Sequence, residues 1–177
     1  MATFRRDLTK GATYFFTVAT YRRQPILTKP EVITSLRNAI AETKNEYPFE
    51  IVAWVVLPDH LHAVWTLPEG DSDYGVRWGL IKRKVTAEAS GHVTIKLSKS
   101  QLTRNESGFW QRRFWEHRIR DDDDLQKHVD YIHYNPVKHG LVENVVDWPH
   151  STFHRFIEKG WVTQDWAGSN IEGDFGE

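Results

Sequence analysis

The sequence predicts an α+β fold in which a four-stranded antiparallel sheet is followed by one further helix. Three observations carry this. Runs rich in aromatic and β-branched residues at 13–21, 49–57, 60–67 and 109–120 read as strands. Apolar residues recur at helical spacing over 30–46 and 76–89, which fall between those strands. An acidic run at 121–124 then opens a third helical segment.

The elements follow in order. Thr13–Tyr21 (TYFFTVATY) comes after Gly11 and stops at the polar run before Pro25, as a first strand would. From Pro30 to about Glu46, Val32, Ile33, Leu36, Ile40 and Ala41 mark a helix, with Pro30 placed where its missing N–H costs least. Phe49–Leu57 (FEIVAWVVL) is nearly continuously apolar, as in a strand covered on both faces. Pro58-Asp59 makes a tight turn into His60–Leu67 (HLHAVWTL), so these two strands form a hairpin. Val76 to about Ala89 fits a second helix, with Val76, Leu80, Ile81 and Val85 on one side and Arg77, Lys82, Arg83 and Lys84 on the other. Gly91–Ser107 is polar and basic and reads as a loop. Phe109–Arg120 (FWQRRFWEHRIR) alternates aromatics with charges and reads as the fourth strand. The last helix is expected to run to about Asn135 and stop near Pro136, with Gly140 closing the turn. Strand, helix, strand, strand, helix, strand is the ferredoxin-like βαββαβ arrangement, which is also the RRM-like layout.

Bulk properties limit the function. A chain of 177 residues with 40% hydrophobic content suits one domain with a real core. There is no membrane-length apolar run and no apolar segment of the signal-peptide kind near the start, so a soluble cytoplasmic protein is expected. The absence of cysteine excludes disulfides, thiolate metal sites and cysteine nucleophiles, leaving His, carboxylate or amide groups to hold any metal. Net charge is −1, but the last 17 residues carry −4 through Asp165, Glu172, Asp174 and Glu177, so the first 160 carry +3. That is only mildly basic for a nucleic-acid binder.

Candidate chemistry comes from two segments. On a strand, His60, His62, Val64 and Thr66 share one face, while the apolar Leu61, Ala63, Trp65 and Leu67 share the other. The apolar set should pack on the two helices of the βαββαβ unit and leave both histidines on the opposite face. Two imidazoles one pleat apart can grip a single divalent ion, although His-x-His alone is a weak signal. In Gln126–Asn135, Tyr131 and Asn135 lie four apart on one helix side, with His128 near them and Leu125, Val129 and Ile132 as the docking stripe. Docked on the open sheet face, this helix brings a hydroxyl and an amide toward the histidines. Tyr134, three residues on, should face away.

The runs Trp54–Pro68 (WVVLPDHLHAVWTLP), Phe109–His117 (FWQRRFWEH), His128–Gly140 (HVDYIHYNPVKHG) and Asp147–His154 (DWPHSTFH) together resemble the bacterial REP-associated tyrosine transposases. These belong with the single-tyrosine HUH transposases of the IS200/IS605 type. The resemblance implies a catalytic domain over residues 1–147, with 148–177 as a tail packed on or near it. It implies Tyr131 as the catalytic nucleophile on the added C-terminal helix and His60 and His62 as metal ligands. Asn135 would complete the site, with Glu116 or His117 as alternative third ligands. The implied cofactor is Mg2+ or Mn2+, and the implied product is a 5′-phosphotyrosine link with a free 3′-OH. The implied partner is DNA, as a single strand or a repetitive extragenic palindrome hairpin with a single-stranded flank. Membrane association is not expected; a monomer acting at the nucleoid is. Arg77, Lys82, Arg83, Lys84, Arg112, Arg113, Arg118 and Arg120 are candidate phosphate contacts. Trp110 and Trp115 are candidates to stack on unpaired bases. The competing readings are a non-catalytic RRM-like single-strand binder and a His-metal hydrolase that uses water. The acidic tail could also cover the active site.

Overall fold

The computed structural model describes residues 6–95, 97, 99–104, 107–168, 173, 175 and 176. Four strands, β1 (Thr13–Ala19), β2 (Glu50–Val56), β3 (His60–Thr66) and β4 (Trp115–Arg118), form one antiparallel sheet of order β2-β3-β1-β4. The helices are α1 (Pro30–Glu46), α2 (Tyr74–Ala89), the short α3 (Lys99–Thr103), α4 (Asp122–Lys138) and α5 (Phe153–Glu158). No helix among the described residues is long and apolar enough to cross a membrane.

The expected division of the sheet holds. Leu61, Ala63 and Trp65 of β3 join Tyr14, Phe16 and Val18 of β1 in a core closed by α1 and α2. Trp65 stacks on Trp78 of α2, with ring centres 4.1 Å apart. On the other face Phe15, Val55 and Val64 meet Val129, Tyr131 and Ile132 of α4. Both faces of β1 are thus buried, which explains its run of aromatic and β-branched residues.

Three boundaries differ from the sequence reading. The fourth strand is four residues long because residues 111–114 leave the ladder: Gln111 N–H still bonds the Ala19 carbonyl, and pairing resumes at Trp115 opposite Thr17. Its aromatic and charged alternation persists without ladder hydrogen bonds, so periodicity overestimated the strand. Part of the expected loop 91–107 forms a 3-10 turn at Ser90–His92 and the helix α3, while 96, 98, 105 and 106 lie outside the described residues. Helix α4 continues past Pro136. Proline there forfeits one amide bond in the last turn, yet His139 N–H still reaches the Asn135 carbonyl, and Gly140, at φ 66°, ends the helix. At the other end Asp121 caps the helix by accepting from Asp124 N–H at 2.8 Å.

The segment after α4 covers the β2 edge. Val56 N–H donates to the His150 carbonyl, Thr152 N–H to the Trp54 carbonyl, and Trp148 Nε1–H to the Val56 carbonyl. An edge that would otherwise present unpaired groups is closed. His133 of α4 is buried behind this seam, 3.0 Å from Thr152 Oγ1.

Burial, with the Arg155 charge adding to it, pushes the His133 imidazole down to about 3. The unfolded chain, titrating near 6.5, therefore binds a proton that the folded state refuses, and stability falls as pH drops below 6.5. Between pH 7 and 5 this one group is expected to cost about 2 kcal/mol. Urea unfolding at the two pH values should show that decline shrink in His133→Gln. An unchanged decline would assign the acid sensitivity elsewhere.

Candidate functional site

His60 opens β3 and His62 follows one pleat later, opposite Ala19 and Thr17 of β1. Both are almost fully buried, with ring centres 4.9 Å apart. Their neighbours fix the tautomers. His60 Nδ1 lies 2.7 Å from Asp59 Oδ1, a carboxylate that can only accept. Burial alone would raise the Asp59 carboxyl, but the His60 hydrogen bond and the Arg23 charge hold it below the usual value. Thr17 Oγ1 donates its one proton to the Phe175 carbonyl at 2.7 Å, so at 2.8 Å it accepts from His62 Nδ1–H. Each imidazole therefore carries its lone pair on Nε2, the form a metal ligand needs, with its other nitrogen anchored. By this donor chemistry the pair fits a divalent ion.

Helix α4 lays Tyr131 beside them. Its ring centre is 5.2 Å from that of His62, and the residue is 3% exposed. Asn135, one turn on, is fully buried. Two residues that the sequence reading did not single out join the group. Lys138 Nζ donates to the Tyr131 hydroxyl at 3.1 Å and lies 4.7 Å from the ring centre. His139, at the helix end, stands 5.3 Å from His60, ring to ring. The signal for Lys138 was its place seven residues after Tyr131, two turns along the same face, but stopping the helix at Pro136 hid it. Tyr134 does face away: Gly168 packs against its ring.

The chain's end also reaches the site. Phe175 stacks on Tyr131 with ring centres 3.6 Å apart and planes 10° from parallel. Gly176 presses so closely on the Trp115 indole that any side chain would overlap the ring. Among the described residues, the tail's contact with the site is made by the Phe175 ring and carbonyl and by Gly176. Of its acidic residues, Glu172, Asp174 and Glu177 lie outside the described residues, while Asp165 is exposed.

Strand alternation separates the two alternative third ligands. Glu116 pairs with Phe16 and points to the α1 and α2 side, where Tyr74 Oη donates to it at 3.4 Å and Arg6 lies 3.7 Å away. It does not share a face with the histidines. His117, opposite Phe15, does face α4, but it meets Asp124 and His128. These three place ligand atoms within 4.8 Å of one another and could hold a metal ion. They already bond among themselves: His117 Nε2 to Asp124 Oδ2 at 2.8 Å, and His128 Nδ1 to the Asp124 carbonyl at 2.7 Å. Burial would raise the Asp124 carboxyl, yet hydrogen bonds from His117 and Arg120 hold it far below the usual range, while burial lowers His128. The two imidazole planes lie 13° from parallel, so one ring must turn before both lone pairs can meet a common ion. A cavity of about 420 Å3 opens beside them, bordered by Arg120, Lys127 and Phe175.

The basic candidates divide. Arg77 is a correction: it is fully buried, and its guanidinium binds both Asp71 oxygens and the carbonyls of Tyr47, Pro48 and Asp73. A donor set spent inside the fold cannot reach a phosphate. Lys84 pairs with Glu42 of α1, and Arg118 with Asp7, both in the layer opposite the histidines. Arg83 is exposed on α2, in that same layer. Lys82, lowered to about 8 by burial and by Arg6, bonds the Gln111 carbonyl at the sheet edge. Arg112 is exposed, Arg113 lines a cavity beside Thr17, and Arg120 lies beside His117. Arg23, which the sequence reading missed, reaches Asp59 at 3.7 Å. Of the two stacking candidates, Trp110 donates to the Lys82 carbonyl and packs on the α1 and α2 core, while Trp115 sits on the site face.

Comparison with known proteins gives consistent likenesses. The family model described as "Transposase IS200 like" matches residues 9–135. A REP-associated tyrosine transposase of Escherichia coli (strain K12) is 48% identical over 178 aligned positions, covering 100% of this chain and 98% of its own. A Haemophilus influenzae relative is 46% identical, covering 98% of this chain and 99% of its own. A solved structure of a REP-associated tyrosine transposase bound to a REP hairpin superposes with a TM-score of 0.83. That chain is 46% identical, and the match covers 100% of this chain and 98% of that one.

Because Phe175 covers the Tyr131 ring, Phe175→Ala should expose the phenol while removing an aromatic contact of about 1 kcal/mol. Nitration by tetranitromethane, followed at the Tyr131 peptide by mass spectrometry, should accelerate severalfold. An unchanged rate would show that the stack does not shield the tyrosine.

Proposed function

The chain belongs to the IS200-like transposase family as a REP-associated tyrosine transposase, and from that premise we propose that it cleaves and rejoins single-stranded DNA beside REP hairpins. The nucleophile in this reading is Tyr131. The observation that carries it is the grouping of the Tyr131 phenol, the Lys138 ammonium and the lone-pair-fixed His60 and His62 on one sheet face. The hairpin held by the relative of known structure supports the substrate class.

The chemistry is an exchange of phosphate esters. Tyr131 Oη attacks the phosphorus and gives up its proton to a base or solvent. The bond from phosphorus to the 3′ oxygen breaks, and that oxygen takes up a proton to leave as a 3′-hydroxyl. The 5′ phosphate stays on the tyrosine. Attack by a 3′-hydroxyl on this link reverses the step, and the ester energy is conserved without a nucleotide cofactor. Lys138 holds the phenolic oxygen and stabilises its charge as the proton leaves. His60, His62 and Asn135 would hold the Mg2+ or Mn2+, which when bound polarises the scissile phosphate. Thr17 and Asp59 keep the two imidazoles in the ligating form. Arg23, Arg113 and Arg120 are the phosphate contacts on this face, with Arg112 exposed next to Arg113, Lys82 at its edge and Arg83, Lys84 and Arg118 farther off. Residues 1–147 form the catalytic domain and 148–177 its tail, and the protein acts as a monomer on chromosomal DNA in the cytoplasm.

Incubation of the protein with a labelled hairpin carrying a single-stranded flank and Mn2+ should give a covalent adduct in denaturing gels. Tyr131→Phe should abolish it. Cleavage without an adduct would point to a hydrolase using water, and binding alone to a non-catalytic single-strand binder. Asp59→Asn should lower Mn2+ affinity about tenfold by titration calorimetry, since the partner of a ligating imidazole orients it. Equal affinities would remove Asp59 from that role.

A further inference from the structure

A second cavity, of about 390 Å3, opens beside the histidines between β1, the segment 111–114 and the start of β4. Its volume lies within the range of about 300–1,000 Å3 typical of small-molecule sites. We infer that it receives one unpaired nucleotide of the DNA strand adjoining the scissile phosphate, with the base on Trp115 and the phosphate between Arg23 and Arg113. This rests on the strand-transfer reading above.

The cavity adjoins the histidine pair. The cavity's floor is Thr17 and Ala19, the cross-strand partners of His62 and His60. Strands in a sheet lie about 4.8 Å apart, so anything seated there is next to whatever the histidines hold.

The cavity's lining suits a nucleotide. Arg23 and Arg113 face the cavity together with the Gln111 amide and the Trp115 ring. Arg22 and Arg23 both hold left-handed backbone, at φ 55° and 54°, a conformation costly for arginine. The bend is held by Thr20 Oγ1 on the Gln24 carbonyl and by Gln24 Nε2 on the Tyr21 and Gly108 carbonyls. Asp59, 3.7 Å from the Arg23 guanidinium, tethers that charge beside His60. Two cations and a flat aromatic wall match the chemistry of a nucleotide.

The tail already occupies part of this cavity. The Phe175 carbonyl oxygen accepts from the Thr17 hydroxyl, as a phosphate oxygen would. Gly176 then packs closely against the Trp115 indole, where a base would stack. Tail and DNA strand are thus alternative occupants of one track. When DNA takes it, Thr17 still accepts from His62 and redirects its proton to the strand.

The test uses the Tyr131→Phe protein, so that cleavage does not intervene, and a REP hairpin whose single-stranded flank carries 2-aminopurine at each position in turn. Wild-type cleavage products locate the scissile phosphate. Binding should quench the fluorophore at the position adjoining it, and Trp115→Leu should remove that quenching and weaken binding about tenfold to a hundredfold. An abasic substitution at the same position should cost as much, and the two changes together no more than either. Arg113→Gln, at an exposed residue that the fold does not need, should weaken flank binding and reduce the salt slope by about one. Equal affinity of Trp115→Leu and its parent, or additive losses with the abasic site, would overturn the inference. Failure of the strand-transfer reading would appear separately, as no Tyr131 adduct in the wild-type protein.

Discussion

The register between β1 and β3 is the constraint on which the rest depends. Thr17 stands opposite His62 and Ala19 opposite His60, while Val18 and Leu61 point into the other core. Side chains alternate with a period of two, so a slip of one residue would bury both histidines against the Phe16 and Trp78 rings and turn Leu61 and Trp65 toward Tyr131. Such a slip is opposed by the whole apolar layer under α1 and α2. The site face is therefore held in place by packing on the face that takes no part in the chemistry.

That arrangement lets polar groups survive burial. His60, His62, Asn135, His128 and Asp124 are all buried, which is costly unless each is bonded. Asp59, Thr17 and the Asp124 carbonyl supply hydrogen bonds that also set which imidazole nitrogen keeps a lone pair. Thr17 links three roles, since the same hydroxyl orients His62, holds the tail and borders the cavity toward Trp115. The stacking of Phe175 on Tyr131 ties the chain's end to the proposed nucleophile by contacts a flat base could replace.

Much of the fold was legible because periodicity reports burial directly. The pattern of HLHAVWTL assigned both faces of β3, and α1 was located from Pro30 and the spacing of Val32, Leu36 and Ile40. Where the reading erred, a local signal met a nonlocal cause. Pro136 looked like a stop, but packing of α4 on the sheet outweighs one lost amide bond, and the added turn delivers Lys138. Arg77 looked like a surface charge on a basic helix side, yet Asp71 and three backbone carbonyls enclose it. Glu116 and His117 were indistinguishable as neighbours in sequence until pairing with Phe16 and Phe15 sent them to opposite faces.

By itself the sequence determined the α+β class, the two faces of the hairpin and the grouping of Tyr131 with Asn135 on one helix side, because each follows from a period of two or 3.6 within one element. Tertiary structure alone decided what meets those faces: Thr17 and Asp59 on the histidines, Phe175 on the tyrosine, and Arg23 brought to Asp59 across a strained turn. Thr17 and His62 are 45 residues apart, and Thr17 and Phe175 are 158. No periodicity spans such distances, and only the closed sheet brings these groups into contact.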